Sequence, residues 1–239
     1  MFEGDRFSAW RVLREGLRGQ RGWKPTWQRK EPQRRYDVVL VGGGGHGLAT
    51  AYYLARNFGV TNIAVLEKGW LGGGNTGRNT TMVRSNYFYR ASSDLYDLSL
   101  RLYEGLSREL NYNIMLSQRG MVNLAHSRHQ LESARRMVGA MNAHGIEARM
   151  LSVDEIARRI PVLDVGRGAR YPVWGGYIQE RGGTARHDAV AWGYARAADR
   201  LGVDIIEQCE VRGFERGAGG AITALETSRG RIAAGTVGM

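Results

Sequence analysis

The sequence predicts an α/β fold: a βαβ unit near the amino end, part of an inserted α+β domain behind it, and a missing C-terminal part. Three observations predict it. A short, β-branched apolar run at residues 36–41 is ended by a dense glycine cluster, which reads as a buried parallel strand. Residues 47–57 follow with Leu48, Ala51, Tyr52 and Ala55 at helical spacing. A second apolar run at 62–66 ends at Glu67, so strand, glycine turn, helix and strand fit within about 30 residues, the size of one βαβ unit.

Beyond this unit, residues 69–87 are rich in Gly, Asn, Thr and Ser without a period, and predict a long loop ordered by a ligand. Helical patterns follow at 93–110 and 129–144. Ser152 and Glu155 form a capping box that opens a short helix before Pro161. Asp188 is expected as the N-cap of a helix through Leu201, with a strand at 203–206 after it. Residues 210–214, 222–228 and 231–237 read as an antiparallel meander turning at Gly219-Gly220 and Arg229-Gly230. No internal repeat or low-complexity segment is found. The last strand ends at Gly238-Met239 with no closing helix or returning strand, so the chain is expected to be truncated. The domain reading is a basic, Trp-containing arm at 1–35 and an incomplete domain at 36–239, in which about 95–180 contributes to a substrate or partner region.

Composition narrows the class. With 43% hydrophobic residues over 239, the chain can bury a core. Cys209 is the single cysteine, which excludes an intramolecular disulfide and a cysteine-based metal cluster. No apolar run stands behind the leading arginines as an export core, and no stretch reaches the roughly 20 apolar residues of a membrane span. A cytoplasmic protein without membrane contact is expected. The net charge is +11, and the first 35 residues carry ten basic side chains against four acidic ones. Such an arm invites a nucleic-acid reading, but Trp10, Trp23 and Trp27 suit a segment that packs against another protein surface, and that reading is preferred. A solvated arm without a special role is the bland alternative.

Gly42-Gly43-Gly44-Gly45-His46-Gly47 is a G-x-G-x-x-G fingerprint in its proper context, after a strand and opening a helix. Gly42 permits the tight turn, Gly44 lets the backbone approach a pyrophosphate, and Gly47 lets the helix pack close to the sheet; Gly45 belongs to the same turn. The helix start offers N–H groups and a partial positive charge to phosphates. Glu67, 20 residues beyond Gly47, is placed to accept both hydroxyls of an adenosine ribose and to repel a 2′-phosphate. FAD and NAD share this unit. An acidic strand end running straight into a Gly/Ser/Thr/Asn loop, Glu67 and Lys68 through Asn75 and Thr76, favours FAD, whose flavin lies along such a loop. The fold is therefore read as a Rossmann-like FAD-binding domain.

The string from Tyr36 to Ala55 resembles the beta subunits of heterotetrameric sarcosine oxidases, a family of FAD-dependent amine oxidases. So do Val65-Leu66-Glu67-Lys68-Gly69-Trp70, Arg78-Asn79-Thr80-Thr81, Arg84-Ser85-Asn86-Tyr87, Ser117-Gln118-Arg119-Gly120, Arg170-Tyr171-Pro172-Val173 and Arg186-His187-Asp188-Ala189. The resemblance covers almost the whole chain. It implies oxidation of sarcosine to an imine and then glycine at FAD, with electrons passing through a covalent FMN to oxygen, which becomes peroxide. It also implies alpha and smaller partner subunits, the alpha subunit giving the one-carbon unit to bound tetrahydrofolate. Thr80 and Thr81 join the residues expected to hold the cofactor. His187 is expected to carry the FMN, while His126, His129 and His144 are read as solvated and His46 as part of the phosphate turn. Arg84 is expected to bind the substrate carboxylate, as an arginine here does in the related single-chain oxidases. Those relatives have another arginine beside the flavin where this chain has Thr81. Two other readings remain: an FAD enzyme for another secondary or tertiary amine, such as dimethylglycine or a cyclic amino acid, and a non-catalytic fragment that binds a partner through its arm.

Overall fold

The computed structural model describes residues 8–22, 25–166 and 168–239. Trp23 and Lys24, which the sequence reading placed in the arm, lie outside them, as do residues 1–7. The chain opens with α1 (Ala9–Leu17), β1 (Arg35–Val41), α2 (Gly45–Phe58) and β2 (Ile63–Leu66). Next come β3 (Met82–Val83), α3 (Arg90–Glu109), β4 (Met121–Ala125), α4 (Arg128–Ala143), β5 (Arg149–Leu151) and α5 (Val153–Arg159). The remaining elements are β6 (Gly175–Gln179), β7 (Gly183–Thr184), α6 (His187–Arg200), β8 (Asp204–Ile206), β9 (Val211–Arg216), β10 (Ile222–Thr227) and β11 (Gly230–Gly238).

These elements fall into two compact units. The first takes in the described residues up to Thr80, Ser107–Ile114 and Arg186–Met239; the second takes in Thr81–Leu106 and Met115–Ala185. In the first unit a six-stranded sheet runs β8-β2-β1-β11-β10-β9. β1 pairs in parallel with β2 and with β11, β2 in parallel with β8, and β9–β10–β11 form the antiparallel meander expected from the sequence. The parallel pairing of β11 with β1 was not read from the sequence, because an alternating strand carries no mark of its distant partner. Tyr36, Val39, Leu66, Ile206, Leu225 and Ile232 belong to one buried cluster, so parallel strands and meander share a core. α2 buries the predicted stripe of Leu48, Ala51, Tyr52 and Ala55, and Gly59 ends it in the left-handed conformation.

The segment before β1 is tied to this unit by one buried carboxylate. Asp204 accepts from Lys30 Nζ at 2.8 Å, Gln33 Nε2 at 2.9 Å and the Tyr36 hydroxyl at 2.8 Å. Burial pushes the Asp204 carboxyl up, but the bonds from Lys30, Gln33 and Tyr36 outweigh it and hold the group below the ordinary aspartate value. By contrast α1 buries none of its side chains. Ser8 caps it by accepting the Arg11 N–H at 3.1 Å.

In the second unit β4, β6 and β5 form an antiparallel sheet in that order, and β3 pairs with β7. Ala134 and Met141 of α4 pack with Tyr177 of β6 and with Ile146 and Ala148. Ile156 of α5 packs with Leu151, Val173 and Ile178. The capping box of Ser152 and Glu155 is present, each side chain bonded to the other's backbone N–H. Five strands of this unit, β3 to β7, were not read from the sequence, and β3 lies in the stretch expected to be loop. Three have only two or three residues, β4 is half-buried almost throughout and β6 is buried throughout, so none shows a polar–apolar alternation. Among the described residues no helix is long and apolar enough to cross a membrane.

Candidate functional site

The glycine turn between β1 and α2 is shaped by close approaches. Gly42 has φ +111°, a conformation L side chains rarely adopt. A Cβ on Gly47 would collide with the Gly42 carbonyl oxygen, so the helix can start this close to the strand only with glycine there. Gly44 is the N-cap of α2 and Gly45 its first residue. The Gly45 N–H donates to Thr76 Oγ1 at 2.9 Å, a partner that sequence reasoning missed. Gly43, a variable position of the fingerprint, is as cramped: its Cβ would lie 2.9 Å from Glu67 Cβ and closer still to Leu71.

β2 delivers Glu67 directly to this turn. One carboxylate oxygen accepts the Gly43 N–H at 2.8 Å and the other the Gly69 N–H at 2.8 Å. Both oxygens keep lone pairs for further donors. Glycine turn, helix start and half-buried carboxylate therefore fit the phosphate and ribose ends of an adenine dinucleotide, with Gly42 to Gly45 and Gly47 putting no side chain on the turn. Lys68 and Asn75 are exposed on the loop that follows, and so is Thr80.

His187 is the first residue of α6 in the same unit. Its ring is partly buried, and Nδ1 is fully buried with no hydrogen-bond partner among the described residues. The structure corrects the expected cap: Arg186, not Asp188, is the N-cap of α6. Asp188 sits inside the first turn, where a carboxylate meets the positive end of the helix dipole. Arg186 pairs with it and holds its carboxyl below the usual range. Of the other histidines, His46, His126 and His129 are exposed. His144 is half-buried, with Nδ1 3.2 Å from Ser93 Oγ, and so is not simply solvated.

Thr81 and Arg84 belong to the second unit. Thr81 has φ +62°, a genuine outlier for a β-branched residue, and its carbonyl accepts the Ala185 N–H at 2.9 Å. Arg84 follows β3 and is half-buried. Its Nη1 donates to Asn86 Oδ1 at 2.7 Å, and its guanidinium lies over the Tyr87 ring, 4.9 Å from the centroid. No carboxylate pairs with Arg84 among the described residues. Asn86 and Tyr177, which hold this arrangement, were missed by sequence reasoning, since a lone Asn and a strand Tyr carry no local signal.

Residues 37–237 match the family described as FAD dependent oxidoreductase, and the chain belongs to that family. Within it, the chain is 53% identical over 227 residues to sarcosine oxidase subunit beta of Rhizobium meliloti (strain 1021), covering 95% of this chain and 54% of that protein. It is 51% identical over 230 residues to the subunit of the same name from Rhodobacter capsulatus, covering 96% and 55%. The chain thus spans about half the length of the curated relatives it matches. Among solved structures, glycine oxidase from Geobacillus kaustophilus superposes with a TM-score of 0.75 at 25% identity, over 86% of this chain and 55% of that one. L-proline dehydrogenase from P. horikoshii superposes with a TM-score of 0.79 over 86% and 52%, and at 24% identity shows the shared fold alone.

Proposed function

We propose that this chain is the FAD-binding part of a sarcosine oxidase beta subunit, in which bound FAD supplies the two-electron oxidation of the amine's C–H. Identity of about half the residues along nearly the whole chain to subunits of that name carries this reading. FAD would be held by Gly42, Gly44, Gly45, Gly47 and Glu67, with Lys68, Asn75, Thr80 and Thr81 along the following loop. Sarcosine is a zwitterion, and a half-buried guanidinium with no acidic partner among the described residues is the group its carboxylate needs; Arg84 is that group. The imine formed on oxidation gives glycine.

The same reading assigns a covalent FMN to His187, from which oxygen takes the electrons, and an alpha subunit whose tetrahydrofolate takes the one-carbon unit. A partly buried imidazole with an unpartnered buried nitrogen supports the choice of His187 over the exposed histidines. Partner contact is assigned to α1. A nine-residue helix is below the roughly 12–15 residues that hold together alone in water. Trp10 and Leu17 are 74% and 82% exposed, Leu13 lies beside them at helical spacing, and Arg11 and Arg14 flank that stripe. A cytoplasmic location goes with this reading and suits one buried, unpaired Cys209.

Mass spectrometry of the His187 peptide, from protein purified out of its native source, tests the two-flavin assignment. An adduct of FMN mass is expected. An unmodified peptide contradicts it and favours an FAD enzyme for another secondary or tertiary amine.

A further inference from the structure

We infer that Asn86, backed by Tyr177, is a positioning residue that aims Arg84 while leaving its charge free for a carboxylate. The inference rests on the reading of Arg84 as the group that binds the substrate carboxylate.

Asn86 is only 5% exposed, and both ends of its amide are engaged. Oδ1 accepts from Arg84 Nη1 at 2.7 Å, and Nδ2 donates to the Tyr177 hydroxyl at 3.2 Å. Arginine has only donors, so the amide oxygen must face Arg84 and the amide nitrogen must face Tyr177. Tyr177 is fixed in turn. It lies on β6, the central strand of its sheet, and is buried against Met141, Ile146 and Ala148. The residue before Asn86 is locked to the same strand, since the Ser85 N–H donates to Gln179 Oε1 at 3.1 Å and Gln179 Nε2 donates to Ser85 Oγ. On its other side the guanidinium meets Tyr87, whose ring stacks on Tyr96 with centroids 4.0 Å apart. One donor of Arg84 is thus pinned and one face covered, which removes most of the side chain's rotamer freedom before a ligand arrives.

The choice of an amide is what makes this a device for binding. A carboxylate at the same place would hold Arg84 as well, but it would neutralise the charge and compete with the ligand for the fork. A neutral acceptor orients the guanidinium and leaves its remaining N–H groups and its full charge available. Asn86→Asp keeps the shape and changes only the charge, and so separates aiming from packing.

The test uses the flavin-loaded protein in its native assembly and compares sarcosine with dimethylamine, the same amine without its carboxylate. The readout is the ratio of the two kcat/KM values. Asn86→Asp is expected to lower the preference for sarcosine by about 10- to 100-fold, the worth of one charged hydrogen bond, chiefly through the KM for sarcosine. The loss should ease as pH falls and the introduced carboxylate protonates, a dependence that a merely structural defect would not show. Tyr177→Phe, which keeps the ring and its packing, is expected to lower the same ratio by less. If Arg84→Ala abolishes the preference while Asn86→Asp and Tyr177→Phe keep it, Arg84 binds the carboxylate and the role of Asn86 is overturned. If Arg84→Ala itself keeps the preference, the reading of Arg84 falls and the inference falls with it.

Discussion

The half-buried Arg84 guanidinium has no acid beside it among the described residues, and the cost of that arrangement is what a carboxylate ligand would offset. Arg84→Lys keeps the charge but loses the planar fork, so it should raise the KM for sarcosine by about tenfold or more while the flavin stays bound, as steady-state kinetics would show. Glu67 is satisfied by two backbone donors. In Glu67→Gln one of those N–H groups faces an NH2 group, and flavin affinity should fall by about 10- to 100-fold in a titration of the stripped protein. Thr81 carries a left-handed conformation that costs about 1–2 kcal/mol for a residue with a Cβ. Because glycine relieves that cost but loses more chain entropy on folding, Thr81→Gly should leave the melting temperature unchanged or slightly raised. A clear fall would mean that the side chain's own contacts outweigh the strain.

At the scale of elements, the fold depends on a few close approaches that sequence spacing could reveal and a few distant bonds that it could not. The glycine turn was legible because glycines at fixed offsets answer a local steric demand: Gly47→Ala would drive a Cβ into the Gly42 carbonyl and should cost about 1–3 kcal/mol along with flavin retention. Thr76 and Asn86 were not legible, because each acts through a partner set by the fold. Helix α6 was placed correctly but its cap was not, since Asp188 is as well suited to the first turn as to the cap. The tie between the segment before β1 and the start of β8 could not be read either, as its residues are about 170 positions apart. Its carboxyl is lowered relative to an ordinary aspartate, so its stabilisation is present above about pH 4 and is lost as pH falls through the folded value. Acid unfolding should therefore show a component that Asp204→Asn removes. Tyr36→Phe, which deletes one bond to Asp204 and the acceptor for the Gln33 N–H, should cost about 1–2 kcal/mol in denaturant melts.

For the molecule as a whole, the described residues of the basic arm fall into two different structures. Residues 30–36 are fastened to the first unit by Asp204, whereas α1 presents a bare apolar face. Replacing Leu13 and Leu17 together with Asp should abolish co-purification of partner subunits without altering flavin content, because neither side chain is buried in this chain. The central claim, that this chain binds FAD and that Arg84 binds the carboxylate of the amine being oxidised, is tested most directly by adding sarcosine without oxygen to the flavin-loaded native assembly. The account predicts that the long-wavelength flavin absorbance bleaches with sarcosine and that Arg84→Ala requires far more sarcosine for the same bleaching. A flavin that stays oxidised with sarcosine but bleaches with an amine lacking a carboxylate would contradict it.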